Sequence, residues 1–182
     1  FAIARSFYLQ GADVVLVTGP THETIFYSGI KIINVESASE MFDACTKHAD
    51  ANIIVMSAAV ADYTPAVAAG QKIKKNDELL QISLTKTKDI LKHLGSIKKQ
   101  GQYLVGFALE TENEVLNATK KLKEKNADCI ILNSLNDEGA GFMKDTNKIS
   151  IITPKETISF ELKSKEEVAE NIVEYIINQS AK

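Results

Sequence analysis

Lys72-Ile73-Lys74-Lys75 places three ammonium groups within four residues. Lysine is a flexible point charge that reorients on phosphate oxygens, so a loop of this kind can wrap a polyphosphate. On composition alone the same stretch reads as a solvated charged loop. Lys121 and Lys125 stand four apart, which brings both cations to one side of a helix, although that spacing by itself describes plain surface. Asp62 follows an apolar run and an Ala-rich turn, a place where a carboxylate needs a partner. Phe107 reads either as a stacking platform or as a core residue beside a strand end. For Gly139-Ala140-Gly141-Phe142 and Asp145-Thr146-Asn147, turn chemistry is a sufficient account.

Other chemistries lack their residues. His22, His48 and His93 are the three histidines, and none is spaced with a second His or a Cys as a zinc centre requires, so no metal ligands are assigned. Cys45 and Cys129 sit in apolar runs and read as small buried hydrophobes in a reducing compartment. Neither a G-x-x-x-x-G-K-[ST] loop nor a G-x-G-x-x-G fingerprint occurs. A net charge of -3, from 21 Lys and Arg against 24 Asp and Glu, argues against a nucleic-acid binder. The apolar run at residues 53–61 is too short to span a bilayer, and a cytoplasmic location is expected.

The elements that must position these residues follow from periodicity. The 182 residues, 45% hydrophobic and 25% charged, suit one globular domain. Phe1, Ala4 and Tyr8, with Ile3 and Phe7, recur at helical spacing until Gly11. Because the chain opens directly into that helix, it is expected to be part of something longer. Short β-branched runs at residues 13–17, 30–35, 52–57, 103–108 and 128–133 read as strands buried on both faces. Ser37-x-x-Glu40, Thr111-x-x-Glu114 and Ser164-x-x-Glu167 are capping boxes that open helices. Their core stripes are expected at Ala38, Met41, Phe42 and Cys45, at Val115, Leu116, Thr119 and Leu122, and at Val168, Ile172, Val173 and Ile176.

Strand, capped helix and strand in alternation predict an α/β fold: a Rossmann-like, mainly parallel sheet with flanking helices. Residues 148–153 and 157–162 close it as a C-terminal hairpin. A long excursion after Ser57 interrupts the alternation before strand character resumes at residues 80–84. Ligands of such sheets bind beyond the carboxyl ends of strands, where Thr18-Gly19-Pro20, Ser57 to Asp62, Gly106 to Thr111 and Asn133 fall; small residues there permit close backbone approach.

Taken in order, Ser57-Ala-Ala-Val-Ala-Asp62-Tyr63, Lys72-Ile-Lys-Lys75, Thr87-Lys-Asp-Ile-Leu91, Gly106-Phe-Ala-Leu-Glu-Thr111, Lys125-Asn-Ala-Asp128 and Gly141-Phe142 with Asp145 and Asn147 resemble phosphopantothenoylcysteine synthetase, the phosphopantothenate–cysteine ligase of coenzyme A biosynthesis. The resemblance implies a single synthetase domain over residues 1–182 lacking its first strand and glycine-containing loop. It implies a CTP-dependent ligase that passes through an acyl-cytidylate and joins 4'-phosphopantothenate to L-cysteine, with Mg2+ sharing the phosphate charge. It also implies a homodimer and, in bacteria, fusion to a flavin-dependent decarboxylase. Carried over by position, the nucleotide site falls on Ser57, Ala58, Asp62, Lys72, Asp89, Ile90, Phe107, Lys121 and Lys125, with Ala59 at the substrate and Lys72 catalytic. Lys88 stands where the family usually has Pro. The alternatives are an ATP-dependent version of that ligase and a nonenzymatic nucleotide- or NADP-binding module.

Overall fold

A computed structural model describes residues 1–67, 70–71, 81–134 and 146–180. Lys72, Lys74, Lys75, Gly141, Phe142 and Asp145 therefore lie outside the described residues. Chain order runs α1 (Ala2–Leu9), β1 (Val15–Thr18), β2 (Lys31–Asn34), α2 (Ala38–Lys47), β3 (Ile53–Met56), β4 (Tyr63–Pro65), β5 (Leu84–Lys86) and α3 (Ile90–Ile97). It continues through β6 (Tyr103–Glu110), α4 (Glu114–Glu124), β7 (Cys129–Ser134), β8 (Thr146–Asn147), β9 (Ile149–Ile152), β10 (Thr157–Ser159), β11 (Lys163–Ser164) and α5 (Lys165–Ser180).

The α/β class holds, but the sheet is mixed. Five strands pair in the order β10-β9-β7-β6-β3, with β3, β6 and β7 parallel and β9 and β10 antiparallel. The expected hairpin is β9–β10. β1 and β2 form a separate parallel pair, while β4–β5 and β8–β11 are small antiparallel pairs. The hairpin inserts β9 against β7 in the opposite sense, and among the described residues β1–β2 make no ladder with the other strands.

Period-two alternation sends the β6 and β7 side chains into two cores. Leu104, Ala108, Ile130 and Leu132 meet α3 and α4 on one face; Val105, Cys129 and Ile131 meet α5 and Phe7 of α1 on the other. Ile130 and Ile131 are fully buried, each worth about 1.5–3 kcal/mol relative to exposure.

Capping decides where the helices begin. Ser164 and Glu167 form a complete box: the Glu167 N–H donates to the Ser164 hydroxyl at 3.2 Å, and the Ser164 N–H donates to the Glu167 carboxylate at 3.0 Å. Val168, Ile172, Val173 and Ile176 are buried as their spacing predicts. Ser37 accepts from the Glu40 N–H, but the Glu40 carboxylate takes the Glu36 N–H, one residue earlier than a box requires. The Thr111 box is corrected. Asn113 is the cap of α4, in a left-handed conformation at φ 48° with no side-chain capping bond. Ala118 and Leu122 of α4 are buried, and Val115 and Leu116 face solvent.

α3 lacks a sequence-based expectation. It is eight residues long, and Asp89 caps it by accepting the Lys92 N–H at 2.9 Å. Two glycines let it pack. A Cβ on Gly95 would stand 1.8 Å from the Lys125 carbonyl oxygen, and one on Gly106 would stand 2.6 Å from a Leu91 methyl. The small residue at Gly106 therefore makes room for Leu91 and Ile130, not for a ligand. Among the described residues no helix is long and apolar enough to cross a membrane.

Candidate functional site

The carboxyl end of β3 opens into Ser57, Ala58 and Ala59, all exposed. Thr87 fastens the loop that follows: its hydroxyl donates to the Ala61 carbonyl at 2.7 Å and its N–H to the Asp62 carbonyl at 2.9 Å. The loop after β3 and the loop before α3 are in this way one unit. Asp62 itself is exposed, so water solvates its carboxylate and the expected need for a partner is corrected.

Two residues beyond Thr87, Asp89 has a double role. One carboxylate oxygen caps α3, and the other takes the Lys125 ammonium in an ion pair. Partial burial pushes the Asp89 carboxyl upward. The hydrogen bonds from Lys125 and the Lys92 N–H, with the charges of Lys125 and Lys121, outweigh that and hold it below the usual carboxylate range. Lys121 donates to the Phe107 carbonyl at 2.7 Å. An ammonium has three donors, so this bond leaves Lys121 with donors for a ligand oxygen, and among the described residues it makes no direct ion pair.

Asp89, Lys121 and Lys125 thus gather on the α3–α4 face, beside the loop that carries Ser57, Ala58 and Asp62. Two positions do not join them. Ile90 is 5% exposed and its side chain belongs to the core. The Phe107 ring packs with the α5 core and lines a cleft of ≈ 410 Å³ with Phe1, Asn147 and Lys165; only its carbonyl reaches Lys121. Lys72 lies outside the described residues. Thr87, Gly95 and Asn126 were missed. A glycine inside a helical pattern is the signal for Gly95, and the Asn126 amide donates to its carbonyl at 2.8 Å.

Burial raises the Cys45 thiol, and burial with the Asp128 charge pushes Cys129 up to about 12, so both stay protonated and non-nucleophilic at neutral pH. Lys88 lies 4.3 Å from the centroid of the Phe42 ring. It turns toward α2, and Asp89 keeps its cap without the family's Pro.

Residues 1–179 match the family described as the DNA/pantothenate metabolism flavoprotein C-terminal domain. A cysteine/cysteine sulfinic acid decarboxylase from an unknown prokaryotic organism is 46% identical over 97% of the chain and 50% of that protein. The coenzyme A biosynthesis bifunctional protein CoaBC of Bacillus subtilis is 41% identical over 83% of the chain and 37% of its own length. The crystal structure of the C-terminal domain of a CoaBC protein superposes with a TM-score of 0.80 at 35% identity, covering 98% of this chain and 80% of that one. The chain spans about half the length, or less, of these curated relatives.

These findings correct the ligase reading. The matched family is described as a flavoprotein and the 46% identical relative is a decarboxylase. CTP and Mg2+ as cofactors fall with it, as do 4'-phosphopantothenate and L-cysteine as partners. What stands beside the chain in its relatives is the other part of a bifunctional protein.

Proposed function

We propose, for a chain that belongs to the DNA/pantothenate metabolism flavoprotein C-terminal domain family, that it is the C-terminal domain of a cytoplasmic, flavin-dependent phosphopantothenoylcysteine decarboxylase. In this reading its own residues hold the phosphate-bearing end of the substrate. The match over residues 1–179, with a decarboxylase among the relatives, carries the reading. Lys121 supplies the charge for that phosphate, Asp89 and Lys125 fix the wall beside it, and the exposed loop at residues 57–62 provides backbone groups. Loss of the substrate carboxylate as CO2 is the activity of the whole flavoprotein.

The residues gathered at the candidate site do not fit a flavin ring. Ser57, Ala58, Ala59 and Asp62 are exposed, and the Phe107 ring is turned to the other face, so among the described residues no apolar slot is present there for a planar tricycle. In this reading the ring is held by the other part of the longer protein.

A second reading takes its substrate from the name of the 46% identical relative: cysteine or cysteine sulfinate, which carries no phosphate. CO2 release by the full-length protein separates the two. Lys121→Met is expected to raise KM for phosphopantothenoylcysteine about 10- to 100-fold with kcat nearly unchanged, the loss of one charge-assisted hydrogen bond. Turnover of cysteine sulfinate alone, insensitive to Lys121→Met, would establish the second reading, and absence of CO2 from either substrate would sink both.

A further inference from the structure

Period two along β6 puts Leu104, Ala108 and Glu110 on the face that meets α3 and α4. Leu104 and Ala108 fill the core there, while Glu110 is half-buried at the carboxyl end of the strand, where ligands of open α/β sheets bind. Asn117 of α4 fixes it. The Asn117 amide donates to Glu110 Oε2 at 3.2 Å and to the Glu112 carbonyl at 3.0 Å, which occupies both of its hydrogens. A carboxylate offers about four acceptor sites, and Glu110 Oε1 accepts no bond among the described residues. The side chain is therefore oriented by one oxygen and idle at the other.

Its place beside Lys121 is set by the same helix. Asn117 and Lys121 are one turn apart on α4, about 5–6 Å between their Cβ atoms, and both reach β6: Asn117 at the Glu110 side chain, Lys121 at the Phe107 carbonyl. Along the strand those two points are about 10 Å apart. A cation with donors to spare and an anion with an acceptor to spare thus line one edge of the sheet, and they do not pair with each other. A ligand that satisfies both carries a phosphate and, a few bonds away, a hydrogen-bond donor. In phosphopantothenoylcysteine the donor nearest the phosphate is the secondary hydroxyl, borne on the third carbon from the ester oxygen; the amide N–H groups and the thiol lie farther along. We infer that Glu110 is a specificity-determining residue whose Oε1 accepts the hydrogen bond of that hydroxyl. The inference rests on the reading that Lys121 holds the substrate phosphate. A hydroxyl bonded to a carboxylate forms a charge-assisted bond, roughly twice as strong as a neutral one. A site built to bond a hydroxyl also rejects the analogue that lacks it. Like-charge repulsion keeps the phosphate off Glu110, so the pair sets the direction in which the substrate lies.

CO2 release by the full-length protein, measured with phosphopantothenoylcysteine and with its analogue lacking the secondary hydroxyl, tests this. For the wild type, KM is expected to be about 10- to 100-fold higher for the deoxy analogue, with kcat nearly unchanged. Glu110→Gln keeps the length of the side chain and an oxygen for Asn117. It is expected to raise KM for the parent substrate about 10-fold and to leave KM for the deoxy analogue where it was, because the bond it weakens is already absent. Equal KM for the two substrates in the wild type would overturn the inference. So would a Glu110→Gln effect of the same size on both, the behaviour of a residue that only staples the start of α4. The reading beneath it fails separately: no CO2 from phosphopantothenoylcysteine sinks both, whereas a KM that responds to Lys121→Met and ignores the hydroxyl sinks this inference alone.

Discussion

Asp89 joins a helix cap to an ion pair, and substitution separates the two. Asparagine caps as well as aspartate, so Asp89→Asn removes only the negative charge that pairs with Lys125 and is expected to cost about 0–1 kcal/mol in urea unfolding; Asp89→Ala loses the cap as well, about 1 kcal/mol more. The sign of the pH dependence is fixed by the direction of the shift. Asp89 is held below its ordinary value in the folded state, so its contribution is present above the unfolded carboxylate range and is lost as pH falls through the lowered folded value. The stability gap between wild type and Asp89→Asn is therefore expected to close on the acid side and stay constant from pH 6 to 8. A gap that widened as pH fell would refute the ion pair. Sequence made Asp89, Lys121 and Lys125 visible as positions, yet it gave no sign that Asp89 neutralises one lysine of the pair. That depends on α3 and α4 meeting, a contact between residues 36 apart in the chain.

The meeting of α3 and α4 turns on Gly95. An alanine there directs its methyl into the Lys125 carbonyl, and backbone is not the flexible end of a side chain that can swing aside. Overpacking of this kind costs about 1–3 kcal/mol, against at most about 1 kcal/mol regained in helix propensity. Gly95→Ala is expected to lower stability and, by moving Lys125, to raise the Asp89 carboxyl toward its ordinary value in an NMR titration. An unmoved Asp89 would show that the glycine does not set the ion pair. The elements differ in how far they could be read. α5 was legible because Ser164 and Glu167 form a reciprocal box directly ahead of a clean apolar stripe. Ser164→Ala should accordingly lower Tm, by about 1 kcal/mol of lost capping. α4 misled because Thr111-x-x-Glu114 carries the same letters, while the left-handed Asn113 is where the helix starts and its rotation places Val115 and Leu116 outward. α3 escaped notice because eight residues with an internal glycine are short for a helix, although Ile90, Leu91 and Leu94 keep helical spacing. The strands were legible from β-branched runs, but the antiparallel insertion of β9 was not, since pairing partners are not encoded in the local pattern.

Across the whole molecule, the candidate site lies where a rigid sheet meets a labile appendage. Ile130, Ile131 and Ile151 are completely buried in the laddered strands β7 and β9, so their amides should exchange only through global unfolding. β4 and β5 are exposed along their whole length, and a short two-stranded hairpin is marginal without packing. Thr87 closes the base of that hairpin through Ala61 and Asp62, so the order of the loop at residues 57–62 is tied to the hairpin's own opening equilibrium. A ligand seated on this loop must therefore favour the closed hairpin, and linkage requires its affinity to fall when closure is weakened. Thr87→Val keeps the shape of the side chain but removes the hydroxyl donor, worth about 0.5–1.5 kcal/mol, so KM for phosphopantothenoylcysteine should rise about 2- to 10-fold while global stability changes little. Saturating substrate should slow amide exchange at Thr64 and Thr85, and leave Ile130 and Ile131 in their global-unfolding class. Exchange in β4–β5 that ignored the ligand would separate the hairpin from the site and leave Lys121 and its neighbours as the only part of this domain that senses substrate.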